Sequence, residues 1–224
     1  MLACFKSDSS IGRSILTLEK IFELAEDEVV LVEDSMSGFR TAKKLSEKTG
    51  KPLRFGLRLE TQSTSQASKL IYFAKNAKGV DSLRRIYTKA FTKNNGVYLF
   101  EKEELEGLQI AVPFYDSFIY RNLFYFGIHD LDLAGLNPWY FEEDNRHPFD
   151  FIISRAIKKL GIETIKAKSI FYEKKEDFQA FCFYKAVCGR KPGRAATWEN
   201  PNLEHFCSDQ FCYEDFVDKK KELK

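Results

Sequence analysis

Val29-Val-Leu-Val-Glu-Asp-Ser-Met-Ser-Gly38 is the stretch on which the fold turns. Four aliphatic residues in a row suit a strand buried on both faces. Two acids, two serines and Met36 then lead into a turn at Gly38. Residues 38–49 keep helical spacing, and Gly50 and Pro52 end the helix. Lys51-Pro-Leu-Arg-Phe-Gly56 opens the next strand, over 53–59. Strand, turn, helix and strand in about 30 residues make a βαβ crossover, whose two strands lie parallel.

The same alternation extends in both directions. Upstream, residues 2–5 read as a short strand. Thr17 is placed as a helix N-cap with Glu19 in the first turn, and Leu18, Ile21, Phe22 and Ala25 continue at helical spacing. Downstream, a polar loop at 61–67 precedes a strand at Leu70 to Phe73. Val80, Leu83, Tyr87, Ala90 and Phe91 form one helix face. Leu108 to Val112 and Leu123 to Ile128 read as strands. Residues 130–147, with Gly135, Pro138 and several acids, read as an irregular loop. Phe149, Ile152, Ile153, Ala156, Ile157 and Leu160 make an amphipathic helix, followed by a strand at 163–168 and an apolar helix at 174–188. A Gly/Pro/Arg loop (189–201) and a charged helix over 208–223 complete the chain. Seven strands are countable. An α/β chain with helical crossovers and no break in composition predicts one small, parallel (β/α) barrel over residues 1–224.

Composition narrows the functional classes. The chain has 224 residues, with 35 Lys and Arg against 33 Asp and Glu, a net charge of +2. That balance argues against a bulk nucleic-acid coat or a polybasic membrane binder. Three His are a thin supply for a multinuclear metal site. Five Cys, an odd number, fit free thiols in a reducing cytoplasm better than a disulfide framework. The apolar start at Met1 to Lys6 is too short for a secretory signal, and no run is long enough to span a bilayer. The expected location is cytoplasmic, with no membrane partner. Phe is frequent, at 21 residues, so some rings must reach the surface, where they can mark a partner-binding face.

Four blocks, in order, resemble the PHP domain at the N-terminus of bacterial replicative DNA polymerase III alpha subunits, the C family. Ser7 to Ser14 is similar to the opening strand–loop–helix. Val29 to Gly38, its helix and Lys51 to Gly56 look like a Thr-Asp-His-Gly-Asn-Met-Ser-Gly turn and a Lys-Pro-Ile-Ile-Gly strand. Lys69-Leu-Ile-Tyr-Phe-Ala-Lys-Asn76 resembles a His-Leu-Thr-Leu-Leu-Ala-Lys-Asn segment. Thr164 to Tyr172, with Glu176 and Asp177, resembles a Val-Ala-Thr-Asn-Asp-Val-His-Tyr strand and the acidic opening of the next helix. The resemblance covers residue 2 to about 218 and implies a distorted seven-stranded (β/α) barrel of the PHP type.

It also implies up to three metal ions held by His, Asp and Glu, but the corresponding positions here hold other residues. The His-X-His opening falls on Cys4 and Lys6. The Asp-His of the second block falls on Glu33 and Asp34 or one residue earlier. A Glu falls on Arg58, and the third-block His on Lys69 or Ser68. The final Asp-X-His falls on Ser169 and Phe171, beside Lys168. Protonated Lys and Arg cannot ligate a metal and repel a divalent ion. The expectation is therefore a degenerate site with no metal and no cofactor, in which Lys6, Arg58 and Lys69 pair with Glu33 and Asp34.

Other constellations are weaker. Cys182, Cys188, Cys207 and Cys212 with His205 lack the close pairs of a zinc ribbon. A thiol at Cys4 could be activated by Lys6, but nothing in the sequence orients a base toward it. His129 and His147 read as loop or surface residues. Gly189-Arg-Lys-Pro-Gly-Arg194 offers Arg190, Lys191 and Arg194 for a phosphate or nucleic-acid contact, against the simpler reading of a helix C-cap and a solvated loop. Glu142 to Asp144 and Lys219 to Lys221 read as solvated charge runs. With its ligands replaced, the resemblance implies a non-catalytic module of DNA replication, structural or docking, for a C-family DNA polymerase or its proofreading exonuclease; no polymerase palm is present in the sequence. The alternative is a metal-dependent PHP phosphoesterase or exonuclease with a rearranged site using Asp8, Glu33, Asp34 or Glu60.

Overall fold

The computed structural model describes residues 1–63, 66–124, 131–188 and 208–222. Its strands are β1 (Leu2–Phe5), β2 (Val29–Glu33), β3 (Leu53–Gln62), β4 (Ser68–Ala74), β5 (Val97–Leu99), β6 (Leu108–Val112), β7 (Trp139–Glu142) and β8 (Ile165–Ile170). Its helices are α1 (Leu18–Leu24), α2 (Phe39–Thr49), α3 (Ala77–Lys93), α4 (Phe118–Phe124), α5 (Asp150–Lys159), α6 (Phe178–Cys188) and α7 (Tyr213–Glu222). The eight strands pair in the order β2-β1-β8-β7-β6-β4-β3-β5, and a further β2–β3 pairing closes seven of them into a barrel with β5 outside. The protein is thus a mixed α/β chain with a closed seven-stranded barrel surrounded by helices, a distorted (β/α) barrel.

The deciding stretch folds as its sequence predicts. β2 is buried throughout, and Val29 to Glu33 pair in parallel with Leu53 to Leu57. Gly50 caps α2 in the left-handed region, at φ 70°. The Thr17 side chain accepts from Lys20 N and caps α1. Three strand expectations need correction. β4 runs antiparallel to both β3 and β6, so the barrel is not wholly parallel. Leu123 and Phe124 end the helix α4; the rest of the expected strand at 123–128 lies outside the described residues. The seventh barrel strand is β7, inside the stretch read as an irregular loop over 130–147. It pairs with β6 at only two positions, Ala111–Trp139 and Val112–Tyr140. The terminal helix is shorter than its expected 208–223, because Ser208 to Cys212 run along the barrel and bridge to Tyr172.

Strand alternation sorts side chains to two sides of the barrel wall. Val29 and Leu31 face out into the main core with Ile21, Leu83 and Ile86. Cys4, Val30, Val32, Ile71, Phe73, Ala111, Phe141 and Ala167 form a separate interior cluster, drawn from six of the seven strands. The seventh, β3, contributes Gly56: a Cβ there would sit 2.5 Å from the Phe73 ring, so a glycine is what lets Phe73 fill the barrel. Among the described residues, no helix is long and apolar enough to cross a membrane.

Candidate functional site

One end of the barrel collects the last inward-facing residues of its parallel strands and the first residues of antiparallel β4. A cavity of about 40 Å³ opens there, lined by Cys4, Lys6, Arg58, Tyr115, Glu143 and Ser169 with Val32, Ile71, Phe141 and Phe171. Four of the positions expected from the family resemblance (Cys4, Lys6, Arg58 and Ser169) meet in this cavity, and Phe171 closes its wall. Asp34 follows β2, and Lys69 enters from β4.

The cations at this mouth are held by two carboxylates. Lys6 Nζ lies 2.7 Å from Asp34 Oδ1, and Arg13 Nε lies 3.7 Å from Asp34 Oδ2. Arg58 Nη2 and Lys69 Nζ share Asp116 Oδ2 at 3.2 and 3.8 Å. Arg58 also donates to the Tyr115 carbonyl at 3.4 Å. Burial pushes the Lys6 pKa down, and Asp34 only partly restores it. Burial works against the Asp34 carboxylate too, but Lys6 and Arg58 outweigh it and hold its pKa below the usual aspartate range. Of the expected pairings with Glu33 and Asp34, the structure shows Lys6–Asp34; Arg58 and Lys69 pair instead with Asp116, an acid the sequence did not single out.

Glu33 is not part of the mouth. It alternates with Val29 and Leu31 onto the outer face, where its carboxylate accepts from Ser7 N at 2.9 Å and from the Ser10 hydroxyl. Burial raises its pKa despite those bonds. Of the other acids proposed for a rearranged site, Glu60 pairs with Arg121 at 2.7 Å and Asp8 is exposed. Cys4 is buried, and burial drives its thiol pKa up, the opposite of activation by Lys6. Arg190, Lys191, Arg194, Cys207, His129 and His205 lie outside the described residues.

Several residues of the site carry no clear signal in the sequence. Glu143, inside the supposed solvated run, is buried and accepts from Ser169 N and Oγ at 2.9 and 2.8 Å. Asn145 Nδ2 donates to Glu143 at 2.9 Å and to the Tyr115 hydroxyl at 3.1 Å. That hydroxyl donates to Asp150 Oδ1 at 2.7 Å, and Asp150 Oδ2 accepts from Asn145 N and His147 N. His147 is buried rather than on the surface, and burial lowers its pKa. On the outer side of β8, Lys168 lies 2.5 Å from both Asp215 Oδ2 and Asn145 Oδ1, and Lys219 sits 3.4 Å from Asp215. This network ties β7, β8 and α7 together beneath the mouth. Lys219 thus belongs to a packed ion cluster, not to a solvated run.

The residues present do not suit a metal centre. Among the described residues, no three His, Cys, Asp or Glu side chains stand together to share an ion. The inward carboxylates Asp34, Asp116 and Glu143 are engaged by cations or by donated hydrogen bonds, and the ammonium of Lys6 and guanidinium of Arg58 line the cavity itself. No hydrolytic step through a metal can be derived from this donor set.

No protein-family model matches the chain. No curated protein matches it either. Among solved structures it is similar to a Bifidobacterium adolescentis protein named "putative metal-dependent phosphoesterase", at 16% identity and a TM-score of 0.30. That match covers 40% of this chain and 35% of the other, about a third of the neighbour's length.

Proposed function

We propose that the chain is a non-catalytic PHP-like barrel, one domain over residues 1–224, acting as a structural or docking subunit for a C-family DNA polymerase or its proofreading exonuclease. The observation that carries this reading is the mouth itself, where Lys6, Asp34 and Arg58 stand at positions for which the family resemblance implies metal ligands and are engaged in Lys6–Asp34 and Arg58–Asp116 ion pairs. A metal hydrolase needs clustered anionic or neutral donors so that the bound ion can acidify a water. Here Asp34 and Asp116 are matched by cations and Glu143 by donated hydrogen bonds, and the cavity holds little more than a water or two. Such a mouth keeps the strand ends in place without offering a nucleophile. The replication setting is supported by the order and span of the four resembling blocks.

The test has two arms. Protein purified after growth with added Mn, Zn and Fe should carry far less than one equivalent of any of them, and should not hydrolyse bis(p-nitrophenyl) phosphate. Stoichiometric metal with turnover would transfer the reading to a rearranged phosphoesterase. In the second arm, tagged protein should co-purify with a C-family polymerase or exonuclease subunit; a clean pull-down lacking both would end the docking proposal.

A further inference from the structure

We infer that the solvent face of α5 is a docking surface for an acidic protein segment carrying an apolar anchor. The helix has two distinct sides. Asp150, Ile153 and Ile157 are buried beneath it, with Asp150 consumed by Tyr115, Asn145 and His147. Phe151, Ser154, Arg155, Lys158 and Lys159, spaced three and four apart, line an open groove along the other side. Phe151 is 68% exposed and neighbouring Phe149 is 44% exposed. Phe149 packs at 5.0 Å on Phe124 and 5.3 Å on His147, so the aromatic step at the surface is rigidly backed.

Several surface cations elsewhere meet acids, as in Lys43–Glu47, Lys78–Glu106 and Lys102–Asp132. Arg40, Lys44 and Lys48 on α2 make no ion pair among the described residues, but that helix also carries Glu47. Arg155, Lys158 and Lys159 make no ion pair among the described residues, and α5 has no acid on its exposed side to offer them; Lys158 also borders a neighbouring cavity lined by Glu142, Asp144 and Glu222. Three such cations beside the exposed Phe151 ring complement an acidic chain with an aromatic or aliphatic side chain. A second copy docking face to face would set three cations against three. Single-stranded nucleic acid would stack bases on a series of rings, whereas this groove offers one.

The α5 face is separate from the barrel mouth, and its test leaves the mouth untouched. The probe is a fluorescein-labelled acidic peptide with a Leu-Phe centre, titrated with the full chain by fluorescence anisotropy. Labelled oligothymidylate and the same peptide with Ser in place of Leu-Phe are run in parallel. Binding should weaken as salt rises. The triple variant Arg155→Glu/Lys158→Glu/Lys159→Glu should lose at least ~tenfold in affinity, Phe151→Ser should lose several-fold, and Lys43→Glu/Lys44→Glu on α2 should change nothing. All four positions of the loss variants are exposed, and an unchanged thermal melt confirms that they fold. Absence of peptide binding, equal binding by the variants, or tighter binding of oligothymidylate to the same face would each overturn the inference.

Discussion

Replacing Asp215 by Ala tests how the C-terminal helix is held to the barrel. Lys168 is 1% exposed and Asp215 4%, with nitrogen and oxygen 2.5 Å apart. Without Asp215, the ammonium keeps Asn145 Oδ1 and a more distant interaction with Glu143, while Lys219 keeps Asp144. Breaking one side of a buried pair costs about 3–5 kcal/mol. An independent ceiling comes from proton loss: discharging a lysine with an ordinary pKa of 10.5 at pH 7 costs about 5 kcal/mol, so the side chain escapes by deprotonating before the penalty grows larger. At about 2–4 °C per kcal/mol for a chain of this size, the midpoint of thermal unfolding should fall by roughly 10 °C. Because the penalty is that of an uncompensated charge, it should shrink as pH is raised from 7 toward 10. Removing both charges, as Lys168→Met with Asp215→Leu, should recover most of the loss. Urea titrations of the three proteins at several pH values measure each quantity. A loss below about 1 kcal/mol for Asp215→Ala, or a double variant no better than the single, refutes the argument that the ion pair is what fixes α7.

The same geometry sets other outcomes. Asp34 has a lowered folded pKa, so it contributes stability above the ordinary 3.8 that is lost as pH falls through the folded value; Asp34→Asn should destabilise at neutral pH, and the gap to the parent should close below pH 3.8. Glu33 has a raised folded pKa, so the parent loses stability as pH rises above 4.5; in urea melts, Glu33→Gln should gain relative to the parent over that rise. Gly56→Val places atoms against the Phe73 ring and should cost at least 1–3 kcal/mol by thermal or urea unfolding. Tyr115→Phe removes the donor to Asp150 and the acceptor for Asn145, with an expected cost of about 1–2 kcal/mol.

The parts of the fold that were legible are those where local pattern and tertiary environment coincide. Val29 to Val32 look like a fully buried strand because they are one, and Gly50 looks like a helix stop because its φ of 70° suits glycine. β7 was hidden because Trp139 to Glu142 are only four residues between Pro138 and further acids, with two register pairs to β6. Glu143 has the appearance of a solvated acid beside Glu142 and Asp144. Its burial is decided by Ser169 and Asn145, partners that composition cannot supply. The direction of β4 leaves no mark on alternation, since a period of two reads the same both ways. Reversal explains how Lys69, at the start of its strand, reaches the same mouth as Arg58. Asp116 is the site residue with a retrospective cue: it follows Pro113-Phe-Tyr in a polar turn and adopts φ 61°, a conformation Asp tolerates better than most residues.

The mouth is best understood as a set of charges that must be exchanged together. Asp34, Asp116 and Glu143 all approach one end of the barrel, and three carboxylates drawn into a partly desolvated space raise one another's pKa unless cations intervene. Metal ions would perform that neutralisation in a hydrolase. Here Lys6 and Arg58 enter from β1 and β3, while Arg13 and Lys69 approach the same two aspartates from neighbouring segments. Four tethered cations thus compensate the two aspartates, while Ser169 and Asn145 donate to Glu143. Converting any one of these cations to a metal ligand would leave the other three repelling the incoming metal, while also freeing part of an acid. A single substitution such as Lys6→His therefore should not create metal binding; the whole mouth would have to change sign at once.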